Sequence, residues 1–102
     1  MAEVLVEFSH RVANGTATFW ARACATPIGD GRWTAWIEFI PVDGGQPLRS
    51  PRETTQPNRA GAEYWATGLT PIYLEGALHR ALSPAVRKRG KSAEALFDGP
   101  AR

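Results

Sequence analysis

The sequence predicts an α+β fold, in which an antiparallel sheet of three or four strands is followed by two helices packed on one of its faces. Two observations support this prediction. Apolar and polar residues alternate along three segments before residue 43, which is the period of a β-strand. After residue 56 the apolar residues recur three and four positions apart, which is the period of a helix.

The first two strands are predicted to form a hairpin around Asn14-Gly15. This dipeptide favours a tight type I′ turn, which needs positive φ at both central residues. With these two residues as the loop, Val6 lies opposite Ala23, and the oppositely charged Glu7 and Arg22 face each other. The same register places Val12 opposite Ala17 and His10 opposite Phe19, with all four side chains on the apolar face.

This register gathers small side chains on one face of the sheet, where helices are expected to lie close. The alanines in question are Ala17, Ala21, Ala23, Ala25 and Ala35. Larger apolar side chains are expected to fill the periphery of the same face: Phe8, Phe19, Trp33, Ile37 and Phe39.

A turn at Pro27–Gly31 is predicted to lead into a third strand over residues 32–42. Setting Trp33 opposite Ala25 continues the apolar face across this strand. A short fourth strand is predicted around Leu48–Arg52, where Pro47 and Pro51 confine it to an edge of the sheet.

Two helices are predicted after the sheet. Thr55 or Gln56 serves as the first cap, Pro57 suits the first turn, and Gly68 ends the helix. Its predicted buried stripe is Ala60, Tyr64 and Trp65. Thr70-Pro71 begins the second helix, whose predicted stripe is Leu74, Ala77, Leu78, Ala81 and Leu82.

The length of 102 residues predicts one domain, at residues 1–83, followed by a flexible basic tail at residues 84–102. The net charge of +2 is uneven: residues 1–82 carry seven Lys or Arg against eight Asp or Glu, and residues 83–102 carry five against two. The lone Cys24 excludes an internal disulfide, and no apolar run is long enough to span a membrane. A cytoplasmic location is therefore expected.

The second face of the sheet is the first candidate contact surface, because two helices cover only one face. Its candidate residues are Leu5, Glu7, Trp20, Arg22, Trp36, Glu38 and Ile40. Three interpretations remain open: an ordinary solvated face, a protein interface, or a surface on which single-stranded nucleic-acid bases stack. The glutamates neutralise the arginines there, which favours a self-complementary contact between two copies over a phosphate chain.

The second candidate surface is a polar stretch that runs into the first helix. Its candidate anion-binding residues are Arg49, Arg52, Thr54, Thr55, Asn58 and Arg59. The planar guanidinium groups of arginines and the free backbone amides of a helix N-terminus both bind phosphate or carboxylate groups. The alternative is that the threonines and Asn58 act only as caps and turn formers, with solvated arginines.

Catalytic signals are weak in this sequence. Ser9 and His10 are adjacent on a strand and point to opposite faces, so they cannot form a nucleophile and base pair. His79 has no second ligand at helical spacing, and no metal or cofactor is expected. In the tail, the apolar pair Leu96 and Phe97 is a candidate for docking to a partner.

We therefore expect a small non-enzymatic interaction module that associates with itself or with a protein partner through the second sheet face. The alternative is a single-stranded nucleic-acid binder that uses the two face tryptophans, the arginine-rich stretch and the basic tail.

Overall fold

A computed structural model describes residues 2–83 of the chain, so that residue 1 and residues 84–102, including the candidate docking pair Leu96 and Phe97, lie outside it. The predicted α+β class is confirmed: an antiparallel sheet precedes two helices. The elements are β1 (Glu3–Asn14), β2 (Ala17–Gly29), β3 (Arg32–Pro41), β4 (Leu48–Arg49), β5 (Thr54–Gln56), α1 (Arg59–Thr67) and α2 (Pro71–Ala81). Strands β1, β2 and β3 are neighbours in that order, and both β4 and β5 pair with β3.

Both helices pack on the alanine face of the sheet, as predicted. The fully or almost fully buried alanines of that face are Ala21, Ala23, Ala25 and Ala35. Phe19, Ile37 and Phe39 join them in the core, which the helices close with Leu74, Leu78 and four buried alanines. Ala17 departs from the prediction, because it lies at the exposed end of β2.

The first hairpin turns one residue later than predicted. Asn14 pairs with Ala17, so the loop is Gly15-Thr16. Gly15 has a φ of 63° and is the one loop residue with positive φ, which fits a type II′ turn with glycine at its first central position. Val12 therefore faces Phe19 rather than Ala17.

A wide irregularity in β1 then restores the predicted register. Between Glu7 and Arg11, three residues of β1 lie opposite the single residue Ala21 of β2. Because this adds two residues, the strand keeps the same side chains on the same face, and Glu7 lies opposite Arg22 as predicted. His10 falls inside the irregularity and is exposed, so its predicted place opposite Phe19 is wrong.

A second irregularity in β1 adds a single residue and reverses the face. Val4 pairs with Cys24, whereas Val6 pairs with Ala23. As a result Leu5 packs against the core beneath the helices, and Val4 is 45% exposed. The prediction that Leu5 lies on the second face is therefore wrong, since a one-residue shift moves a side chain to the opposite face.

The second hairpin turns at Asp30-Gly31, both of which have positive φ. Strand β2 consequently continues through the predicted turn as far as Gly29. Ala25 lies opposite Ala35 rather than Trp33, a shift of two residues that leaves the predicted faces unchanged.

Asn58, rather than Thr55 or Gln56, caps α1, and its side chain accepts a hydrogen bond of 2.7 Å from the Gly61 amide. The predicted stripe of α1 is largely wrong: Ala62 and Ala66 are buried, whereas Ala60 is exposed and Tyr64 is 82% exposed. The predicted stripe of α2 is confirmed for Leu74, Ala77, Leu78 and Ala81; Leu82 is 40% exposed.

The free edge of β3 is covered by an interrupted strand. The predicted fourth strand is reduced to Leu48–Arg49, and β5, which was not predicted, follows it. Between them the buried Ser50 accepts a hydrogen bond of 3.0 Å from the Ile37 amide through its hydroxyl oxygen.

Across residues 2–83 the structure contains no helix long and apolar enough to cross a membrane.

Candidate functional site

The candidate site is the sheet face turned away from the helices, which we call the outer face. Among the described residues no helix packs on it, since α1 and α2 contribute to the core on the alanine face. Of the seven predicted interface residues, Glu7, Trp20, Arg22, Glu38 and Ile40 have some surface exposure. Trp36 is only 2% exposed, and Leu5 belongs to the core side.

Four charged residues of alternating sign lie in one row across the outer face. Glu7 on β1 pairs in register with Arg22 on β2, Arg22 with Glu38 on β3, and Glu38 with Arg49 on β4. We call Glu7, Arg22, Glu38 and Arg49 the charge row. Opposite charges directly across neighbouring strands stabilise a sheet.

The middle of the charge row is neutralised within the chain. Glu38 Oε1 lies 2.9 Å from Arg22 Nη2 and accepts a 3.0 Å hydrogen bond from Arg22 Nε. The other oxygen of Glu38 accepts a 3.1 Å hydrogen bond from the indole nitrogen of Trp36. Burial alone raises the pKa of Glu38, but the hydrogen bonds from Trp36 and Arg22 outweigh it and hold this pKa below its usual value. The hydrogen bond to Glu38 likewise raises the pKa of Arg22.

The two ends of the charge row are exposed and have opposite signs. Within the described part of the chain, neither Glu7 nor Arg49 forms a salt bridge. The Arg49 guanidinium instead lies 3.9 Å from the centre of the Trp36 ring, a cation–π contact that helps to bury the indole. The row therefore leaves an unpaired carboxylate at β1 and an unpaired guanidinium at β4.

An exposed indole and a pocket adjoin the charge row. Trp20 is 42% exposed, and the Arg11 guanidinium lies 5.4 Å from its ring centre. A pocket of about 260 Å³ opens beside it, lined by Glu7, Phe8, Trp20, Ala21, Arg22 and Ile40. It lies at the wide irregularity of β1, where three residues stand against Ala21.

Cys24 lies on the outer face next to Trp36 in the register and is 2% exposed. Burial raises the pKa of its thiol to about 11, and the nearby Glu38 carboxylate adds to this rise. The thiol is therefore protonated at neutral pH, and a protonated thiol is a poor nucleophile.

The structure does not bring the six candidate anion-binding residues together. Arg49 stacks on Trp36 on the outer face. Arg59 lies on the helix side and forms salt bridges to Glu3 at 2.9 Å and Glu63 at 3.4 Å. The alternative role as a cap accounts for Asn58, which caps α1, whereas Thr54 lies in β5, where its hydroxyl accepts a hydrogen bond from Gln56. Arg52 and Thr55 are exposed.

A second polar cluster, which no local sequence pattern predicts, lies on the helix side of the sheet. The Glu53 side chain is 4% exposed and accepts hydrogen bonds from the Tyr73 hydroxyl at 2.6 Å and from Arg80 at 2.7 and 3.0 Å. Burial raises the pKa of Glu53, but these hydrogen bonds outweigh it and lower the pKa overall. Burial, together with the bond to Glu53, raises the pKa of Tyr73 to about 12. This cluster ties α2 to the segment before β5.

Within residues 2–83 no three His, Cys, Asp or Glu side chains lie close enough together to hold a metal ion. Comparison with protein-family models, with curated proteins and with solved structures finds no match to this chain.

Proposed function

We propose that this chain is a small non-enzymatic interaction module that binds a protein partner through its outer face. The observation that supports this best is the exposed Trp20 indole beside a pocket of about 260 Å³, on a face that no described helix covers. Aromatic side chains and arginines next to a pocket are enriched at the centres of protein interfaces.

The rigidity of the surroundings also favours a contact surface. Arg22, Glu38 and Trp36 hold one another through hydrogen bonds, and Arg49 is stacked on the Trp36 ring. Side chains that are already fixed lose less conformational entropy when a partner binds. A partner therefore meets a preorganised surface with Trp20 at its edge.

The nucleic-acid alternative has less support. Two neighbouring indoles that stack bases are typical of single-strand binding surfaces. Here Trp36 is 2% exposed beneath Arg49, so Trp20 is the one outer-face tryptophan with substantial exposure. The carboxylate of Glu38 already neutralises Arg22, and phosphate binding depends on free cationic groups.

Site-specific photo-crosslinking tests the proposal. The crosslinking amino acid p-benzoylphenylalanine is placed at position 20 or, as a matched control, at position 64, where an 82% exposed tyrosine stands on α1. In cells that produce the chain, light is expected to give a discrete protein adduct from position 20 and none from position 64. Equal adducts from both positions, or none from position 20, would overturn the proposal.

A further inference from the structure

We propose that the partner of the outer face is a second copy of this chain, related to the first by a two-fold axis that runs parallel to the strands between β2 and β3. This inference rests on the proposed function, in that it takes the outer face to be a protein contact surface. It adds the identity of the partner and the residues that meet across the axis.

The charge row identifies the partner. From β1 to β4 it reads negative, positive, negative, positive, through Glu7, Arg22, Glu38 and Arg49. A two-fold axis parallel to the strands reverses this order in the facing copy. Each residue of the row then faces one of opposite charge, so that Glu7 meets Arg49 of the second copy.

The same axis provides the unpaired ends with partners. Glu7 and Arg49 form no salt bridge among the described residues, whereas Arg22 and Glu38 already neutralise each other. In the dimer the Glu7 carboxylate of each copy meets the Arg49 guanidinium of the other copy, which gives two such contacts. A two-fold axis along the row itself would instead place every charge against its own equivalent, which is repulsive.

The apolar residues beside the row agree with this arrangement. Trp20 on β2 lies directly opposite Ile40 on β3. The proposed axis therefore places Trp20 over Ile40 of the second copy, and Ile40 lines the pocket next to Trp20. Each exposed indole thus lies over Ile40 at the edge of the other copy's pocket.

The dimensions of the face predict a weak dimer. Strands β1, β2 and β3, with β4 and β5 along the edge of β3, lie about 4.8 Å apart over roughly 25 Å of paired length and present about 500 Å² per copy. The total of about 1,000 Å² is at the low end for specific protein complexes. Facing sheets prefer strand directions within about 30° of each other, which an axis parallel to the strands allows. We expect dissociation in the micromolar range.

Sedimentation velocity with two charge-reversal variants tests the inference on the full chain. Glu7→Arg places two arginines in contact at both ends of the interface, and Arg49→Glu places two glutamates there. Each variant alone is expected to self-associate at least about tenfold more weakly than the natural chain, because like charges in an interface are costly. Mixed in equal amounts, the two variants regain opposite charges at both contacts and are expected to form a heterodimer. Glu75→Arg, which makes the same charge change at an exposed position on α2, is the control and is expected to dimerise normally.

Thermal unfolding of each variant, followed by circular dichroism, shows that the chains compared are folded. A natural chain that stays monomeric at high micromolar concentration would overturn the inference. Self-association of the natural chain without recovery in the mixture would also overturn it, since the pairing of Glu7 with Arg49 would then be absent. A discrete crosslink from position 20 to a different protein, together with a monomeric chain, would leave the proposed function standing and remove only the second copy as the partner.

Discussion

Arg22 and Glu38 stand directly opposite each other on β2 and β3, and their charged groups lie 2.9 Å apart. This pair neutralises the middle of a four-residue row whose two ends remain free and have opposite signs. The row holds two acidic and two basic residues, and this balance of charge supports our proposal that the outer face meets a second copy of the chain rather than a polyanion.

Glu38→Gln is expected to lower the free energy of unfolding by about 1 kcal/mol. The substitution removes the salt bridge between Glu38 and Arg22. The side chains of Arg22 and Glu38 are 37% and 23% exposed, so solvent screens part of their attraction. Urea unfolding at low protein concentration measures this loss. Glu75→Gln, on the surface of α2, is the control and should leave the urea midpoint unchanged. A Glu38→Gln midpoint equal to that of the natural chain would contradict the stabilising role of the Arg22 and Glu38 pair.

The two outer-face tryptophans are expected to differ in their effect on stability. Trp36→Ala removes a buried indole and should cost about 3–5 kcal/mol. Trp20→Ala removes a side chain that is 42% exposed and should cost about 1–2 kcal/mol. Urea unfolding of dilute monomer measures both values, and equal losses would show that the exposure assigned to these two residues is wrong.

Glu53 is expected to make the folded chain sensitive to acid. The pKa of Glu53 is lower in the folded chain than in the unfolded chain. Between these two pKa values the unfolded chain binds the proton more readily, so stability rises with pH. The stabilisation is complete above about pH 5 and is lost as the pH falls through the folded pKa.

The variant Glu53→Gln is therefore expected to be less stable at pH 7 by about 2 kcal/mol and to have a shallower acid limb. Tyr73→Phe, which removes one of the hydrogen bonds to this carboxylate, should lose about half as much. Thermal melts from pH 3 to about pH 7 test this. If the natural chain and Glu53→Gln lose stability equally steeply as the pH falls, the proposed role of Glu53 is contradicted.

Cys24 is expected to resist alkylation in the native chain. Its side chain is buried, and its pKa of about 11 keeps it protonated at pH 8. Reaction with a thiol reagent should therefore be limited by unfolding and become fast in denaturant. Rapid native labelling, at a rate similar to that of the denatured chain, would show that the outer face opens around Trp36.

The sequence predicted the two faces of the sheet better than it predicted the strand register. Both hairpins turn at residues other than those expected, yet the resulting shifts are of two residues, which leaves each side chain on its face. Leu5 and Val4 are exceptions, because a single extra residue in β1 moves Leu5 to the core and Val4 to the opposite face. Nothing in the alternation of Val4–Val12 indicates where such an irregularity falls, since both registers keep apolar residues in contact with apolar residues.

The alternation along β2 and β3 predicts which side chains share the outer face, but it does not predict how they pair. Arg22 and Glu38 were expected on one face, but their pairing depends on the β2 and β3 register. The local sequence predicts an anion-binding role for Arg49 and does not predict its place in the charge row, because that place depends on pairing with β3. For the same reason the burial of Trp36 could not be predicted, since Arg49 supplies part of its cover.

The buried stripe of α1 was mispredicted because its apolar residues are few and mostly alanine. Ala60 and Tyr64 fit a helical period as well as Ala62 and Ala66 do, and the choice depends on which side meets the sheet. The Glu53, Tyr73 and Arg80 cluster joins residues 20 and more positions apart, and no local pattern predicts such a contact.

The most direct test of the dimer is fluorine NMR of the chain labelled with 5-fluorotryptophan, recorded over a dilution series. The four tryptophans report on both sides of the sheet, and single Trp→Phe variants assign them. We expect the Trp20 resonance to shift as the concentration rises, while the resonance of Trp65, which packs on Tyr73 on the helix side, stays constant. A Trp20 resonance that stays constant at every concentration, or a shift of Trp65 in its place, would contradict it.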